Sequence, residues 1–464
     1  MKKPVSPKID KRNRVNTRGT EGCAVEHGGF TPSYRSYPST RYFTERFCDE
    51  DVRQAIRATK QTSIAPLSVY VNIPFLEDVS HTGNTPQINP RHISPARTYL
   101  DHLQREIRLQ AALFGARRPV TQFYVGGSVL TTLGNADLTH LVLMLSTSLN
   151  LIELDNREYS VDINPDTVNL ETLALLKGLG FNRLVFRIPK TTTGSSSGSY
   201  LAQKAHHLAQ LTEAARDHGF RSLTYSMPVE ESGSPLSGIN TTLDTLIELA
   251  PDRISYDCFS DSHVQPPNLL VFDHHVRLGT SERPMLKNKL IARLDDAGYE
   301  HLGMECFVRA DDDLAVARNE GRLQRNLQGY TLSLAPDLVG LGVSAISGLP
   351  DCYVQNTSSV HHYYGCLEQD ILPVVTGRYL NTNDLVQRFV IMSLICNLSV
   401  DTNAVYKEFG LHFFEFFSDK YQAVENLEEN GLLTRHGSTL QVTPQGQRLL
   451  RKVCMAFDAY LTDH

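Results

Sequence analysis

No apolar run in the chain approaches the roughly 18 to 20 residues that a membrane helix needs, so no membrane span or membrane partner is expected. A basic excess is missing too, since the formal net charge is -6. General nucleic-acid binders normally carry a basic face, and that class is set aside. The eight cysteines stand at 23, 48, 258, 306, 352, 366, 396 and 454, with no two close enough to form a metal-ligand pair. Cys396 in SLICNL and Cys454 in KVCMAF sit among apolar neighbours and read as small buried hydrophobes of a reducing, cytoplasmic compartment. Walker loops, nucleophile elbows and zinc-protease motifs are absent. The histidine pairs at 206–207, 274–275 and 361–362 lack ligand spacing.

What is present is enough apolar material, 41% of 464 residues, to bury a large core in two or three domains. Residues 1–30 are basic and polar without an apolar stretch, so they read as a solvated, disordered tail rather than a signal peptide. From about 67 to 265, strand-like runs near 68–74, 121–126, 158–163, 183–188, 221–226 and 253–258 alternate with helical runs such as 94–114 and 169–179. Six such units predict an α/β fold, an open three-quarter (βα) barrel whose chemistry sits at the carboxyl ends of its strands. TTTGSSSGS at 191–199 reads as a flexible stretch.

One stretch organises the rest: SVYVNIPFLEDVSHTGNTP, 68–86, a β-branched and aromatic strand running out into a loop. It resembles the oxygen-independent coproporphyrinogen III oxidases, radical-SAM enzymes of haem synthesis whose YVHIPF strand leads into C-x-x-x-C-x-x-C. The three cysteine positions fall on Leu76, Ser80 and Gly83. In that family three thiolates hold a four-iron cluster whose free iron binds S-adenosylmethionine, and soft thiolate sulfur is what this chemistry selects. Leucine, serine and glycine cannot replace it, so no cofactor is expected.

The resemblance extends over residues 32 to 461. PSYRSYPST, 32–40, matches a segment that precedes the family's barrel, and implies an N-terminal arm packed across it. FYVGGSVLTTL stands where the family has GGGTP; Gly126 and Gly127 survive, Ser128 to Leu130 do not, and a bare Gly-Gly reads as a tight turn. The resemblance puts Tyr70, Gly126 and Gly127 at the family's cofactor-binding positions, and Asp162 at its cofactor-contacting glutamate. Ser160, Asp162 and Asn164 alternate onto one face, lining the interior. Pro189 falls at a cofactor-binding glutamine and Leu201 at a binding arginine. Arg187, on the strand beside Asp162, is expected to form an ion pair with it, since a buried guanidinium needs a carboxylate. Blocks 302–331 and 337–356 follow the family more closely, with Gln328 and Ile346 at positions used around a second S-adenosylmethionine. Arg35 and Arg187 are the candidate anchors for substrate propionates.

Glu77, Asp78 and His81 crowd the altered loop and read as solvated polarity rather than a hard-metal site. Residues 393–401 and 431–461 resemble the family's helical and winged-helix-like C-terminal module, with HGST as a wing turn and one amphipathic helix opened by Thr443 and Pro444. Without a basic recognition face this module reads as packing. The implied organisation is a tail (1–30), an arm (31–66), a radical-SAM-like partial barrel (67–290) and a C-terminal domain (291–464). The function expected is that of a pseudoenzyme related to haem biosynthesis, binding porphyrin or haem or regulating a haem-synthesis partner. The alternatives are an active coproporphyrinogen III dehydrogenase, decarboxylating two propionates to vinyls, and a protein-interaction module.

Overall fold

The computed structural model describes residues 32–59, 65–74, 95–115, 117–127, 129–188, 197–227, 236–256, 282–304 and 306–461. Six parallel strands form its centre: β1 (Leu67–Ile73), β2 (Pro119–Gly127), β3 (Glu158–Ile163), β4 (Arg183–Arg187), β5 (Ser222–Met227) and β6 (Arg253–Tyr256). Helices α1 (Pro95–Phe114), α2 (Asn135–Ser148), α3 (Leu170–Gly178), α4 (Ser197–Asp217), α5 (Leu236–Leu249) and α6 (Glu282–Asp296) follow them in turn. The strands sit within a residue or two of the positions that alternation predicts.

Alternation also decides what each side of the sheet contacts. Val69, Phe123, Val161, Leu184, Phe186, Leu223, Tyr225 and Ile254 are buried in one cluster with Leu103 and Ile107 of α1, Leu141 of α2, Leu173 of α3, Leu208 of α4 and Leu246 of α5. That apolar layer between sheet and helices is the main core. The opposite residues of the same strands, Tyr124, Ser160, Arg183, Arg187, Ser222, Ser226, Arg253 and Ser255, face inward and line a cavity. The barrel interior is therefore polar, as the interval-two pattern of SLTYSM and RLVFR dictates.

The sheet continues beyond these six strands. β7 (Tyr299–Gly303) and β8 (Cys306–Arg309) join antiparallel after β6, and β9 (Gln324–Asn326) and β10 (Gly329–Thr331) make a separate hairpin. β11 (Asp337–Leu341) then returns to lie parallel beside β1, followed outward by β12 (Ile346–Gly348), β13 (Cys352–Asn356) and β14 (Val374–Tyr379). Among the described residues the strand path does not close on itself, so the barrel is open.

A second core joins the helix Thr382–Asn397 (Val386, Val390, Leu394) to a three-stranded sheet carrying Val400, Leu433 and Leu440. The N-terminal arm packs on the barrel through Phe47, Val52 and Ile56, and its Arg35 lines the barrel cavity, while its Tyr34 and Tyr37 are buried in this C-terminal cluster. One expectation changes here. The terminal helix is two short helices, Pro444–Arg448 and Leu450–Met455. Thr443 caps the first by accepting from the Gly446 N–H, as expected, but the Leu449 N–H bonds three residues back to the Gly446 carbonyl, which tightens the turn and ends the helix.

Candidate functional site

At the carboxyl ends of the strands, neighbouring registers bring Asp162 of β3 beside β4. Arg187 Nε donates to Asp162 Oδ2 at 2.6 Å, so the expected ion pair is present. The Tyr124 hydroxyl donates to the other carboxylate oxygen, and the Arg187 guanidinium reaches Tyr124 Oη at 3.3 Å and Ser226 Oγ at 3.4 Å. Burial first, and then the Asp162 charge, pushes the Tyr124 phenol well above its usual range. It stays a neutral hydrogen-bond donor at physiological pH.

The amino ends of the strands close the floor with a second set of charges. Arg253 Nε pairs with Asp312 Oδ2 at 2.9 Å, and Arg183 Nη2 with Asp313 Oδ2 at 3.1 Å and Glu158 Oε1 at 3.6 Å. Glu158 also accepts from the Thr331 hydroxyl and, at 3.0 Å, from the Leu332 N–H. Between floor and mouth lies a cavity of about 150 Å³, into which the β9–β10 hairpin brings Arg325, Gln328 and Tyr330.

Of the residues singled out in the sequence, Arg35, Arg187 and Gln328 line this cavity together. Tyr70 is buried, donating to Asn72 Oδ1 at 3.1 Å with its ring 5.9 Å from that of Tyr124. Ile346 lies elsewhere, in an apolar cluster with Phe43, Tyr353 and Leu380. Gly127 has φ +88°, and a Cβ there would stand 2.3 Å from the Ile73 carbonyl oxygen; one on Gly126 would stand 2.9 Å from the Tyr70 ring. Both glycines are required by close approach at the end of β2. Leu201 is fully buried in α4. Leu76, Ser80, Gly83, Glu77, Asp78, His81, Ser128 and Pro189 lie outside the described residues. The sequence reading missed Arg183, Arg253 and Glu158, although Arg183 stands four residues before Arg187 on the same strand face.

Residues 380–449 match the family model described as the HemN C-terminal domain. The oxygen-independent coproporphyrinogen III oxidase of Salmonella typhimurium is 36% identical over 440 residues, 93% of each chain. The Pseudomonas aeruginosa protein of the same name is 32% identical, again over 93% of each. The chain belongs to the oxygen-independent coproporphyrinogen III oxidase family. The solved structure titled "Coproporphyrinogen III oxidase (HemN) from Escherichia coli is a Radical SAM enzyme" matches with a TM-score of 0.78 at 32% identity, covering 92% of this chain and 97% of that one.

This membership overturns the expectation that no cofactor belongs with the chain, because the matched Escherichia coli coproporphyrinogen III oxidase is a radical SAM enzyme. The donor set of this member is nonetheless unusual. Among the described residues no group of three His, Cys, Asp or Glu side chains could hold a metal ion, and positions 76, 80 and 83 carry Leu, Ser and Gly. These residues do not fit a thiolate-held cluster. Among the described residues, too, no helix is long and apolar enough to cross a membrane.

Proposed function

We propose that this coproporphyrinogen oxidase relative is a tetrapyrrole-binding protein of haem biosynthesis that does not itself carry out the oxidative decarboxylation. The observation carrying it is that Arg35 of the arm and Arg187 of β4, distant in sequence, line one cavity. The compound in the relatives' names, coproporphyrinogen III, is an apolar macrocycle edged by propionates. Macrocycle burial and guanidinium pairing to propionates need neither iron nor sulfur. The long bonds from Arg187 to Ser226 and Tyr124 are ones a propionate can replace. The inactivity rests on Leu76, Ser80 and Gly83 standing at the family's thiolate positions. A protein of this kind serves as a carrier or as a regulator of a haem-synthesis enzyme.

The active-enzyme reading is favoured by one observation, 36% identity along 93% of an enzyme of that name. Two measurements separate the readings: titration of the purified protein with coproporphyrin III, with S-adenosylmethionine in parallel, and anaerobic reconstitution with iron and sulfide followed by assay of vinyl formation. Saturable porphyrin binding, weakened about tenfold by Arg35→Ala through loss of one charge-assisted contact, with no vinyl product, is the expected result. Multiple turnovers to vinyl product would establish the enzyme. Silence toward both ligands would leave a protein-interaction module.

A further inference from the structure

The floor of the barrel holds more hydrogen-bond donors than acceptors. Arg183 Nε and Nη1, Arg253 Nη2 and the Ser222 hydroxyl are all buried and have no hydrogen-bond partner among the described residues. These three side chains line the same cavity, on adjacent strands: Arg183 pairs in register with Ser222, and Arg253 with Thr224 two residues further along β5. Native interiors satisfy nearly all buried polar groups. A guanidinium can only donate, so what completes this set is an acceptor.

Charge narrows the class. Five guanidinium groups line the cavity, those of Arg35, Arg183, Arg187, Arg253 and Arg325, and Glu158 is the lining carboxylate. Asp162, Asp312 and Asp313 pair with three of them. Asp313 is shared with Arg221 as well, so with Arg35 left aside the four carboxylates face five guanidiniums, those of Arg183, Arg187, Arg221, Arg253 and Arg325, and one positive charge is left. Arg325 hydrogen-bonds to neutral groups, the carbonyls of Ser33 and Tyr34, and stacks over the Tyr330 ring. Burial, then the facing Arg253 charge, pulls the Arg183 pKa down, and burial does the same to Arg325. Both shifts are what an anion placed between them would relieve.

We infer that the barrel floor is a binding site for a single carboxylate, held by Arg183, Arg253 and Ser222. A carboxylate has two oxygens with about four lone-pair sites, can accept from both guanidiniums and the hydroxyl together, and carries the one negative charge required. The cavity, about 150 Å³, is of the size that takes a benzene-sized guest, so a short aliphatic acid fits. A water molecule offers only two acceptor directions and turns two protons of its own toward donors.

The test uses sodium propionate on the full chain, with neutral propionamide as the control and ionic strength held constant. Propionate is expected to raise the unfolding temperature saturably and propionamide to leave it unchanged. Ser222→Ala should weaken the propionate response about threefold to tenfold. Ser222→Asp, which places a carboxylate on β5 at the same spot, should raise the unfolding temperature of the free protein and abolish the response. Equal responses to propionate and propionamide, or titrations of both variants that superimpose on the parent, would overturn the site. Propionate that also competes with coproporphyrin III identifies a tetrapyrrole arm as the source; propionate that binds without competing identifies a free acid. Because the probe is propionate alone, the outcome is independent of whether the tetrapyrrole binds.

Discussion

Arg187 and Asp162 face each other at 2.6 Å across adjacent parallel strands, the carboxylate 1% exposed and the guanidinium 28%. Removing the cation alone strands a buried anion. Arg187→Leu should therefore destabilise the fold by about 3 to 5 kcal/mol in urea unfolding, and the double change Arg187→Leu with Asp162→Asn should recover much of that loss. Equal stability of single and double variants would show that the pair is not coupled.

Glu106 of α1 is fully buried, accepting from the Gly342 N–H at 2.7 Å, Asn356 Nδ2 at 2.6 Å and the Tyr363 hydroxyl at 2.5 Å. Burial outweighs these three donors and lifts its carboxyl from 4.5 to about 7. Between those two values the folded state keeps a proton that the unfolded chain has released. Stability from this group is thus complete below pH 4.5 and is lost as pH rises through 7, by about 3 kcal/mol in all. The stability of Glu106→Gln relative to the parent should rise across that window and level off above it. A difference that stays flat with pH would contradict the shift.

Gly127→Ala should cost about 2 kcal/mol or more, from a positive φ that an L side chain resists and a Cβ forced on the Ile73 carbonyl. Thermal unfolding measures it. A variant of unchanged stability would show that the backbone at the end of β2 can move aside.

Tyr34 donates to Asp458 Oδ2 at 3.1 Å inside the C-terminal cluster. Tyr34→Phe should lower stability by about 1 to 3 kcal/mol, since the bond is to a buried acid. Limited proteolysis near residue 34, faster in the variant, is the accompanying readout.

Strand positions, the polar inner face and the Asp162–Arg187 pair were legible in the sequence because all three follow from period-two alternation on neighbouring strands. The barrel floor was not. Alternation places Arg183 on the inner face with Arg187, but the carboxylates that neutralise Arg183 and Arg253 come from Asp313 and Asp312, which lie beyond β8. Local pattern carries no record of such distant partners. For the same reason the arm's tyrosines gave no sign that their place is beside Asp458, 424 residues away from Tyr34. The break at Leu449 was hidden too, because Thr443 and Pro444 signal a helix start and no glycine or proline stands between 447 and 455 to signal a stop.

The return of β11 to the flank of β1 bears on how a nascent chain assembles. LSVYVNI is buried on both faces, and its Asn72 side chain finds the Val343 carbonyl 271 residues further on. While the ribosome makes everything between, β1 has β2 on one side and an unpaired apolar edge on the other. Such edges recruit other strands, and long-range parallel pairing is slow. The period of greatest danger for this chain therefore ends not when the sixth barrel strand emerges but when residues 337–341 do, and protection of that one edge until β11 covers it governs the yield of folded protein.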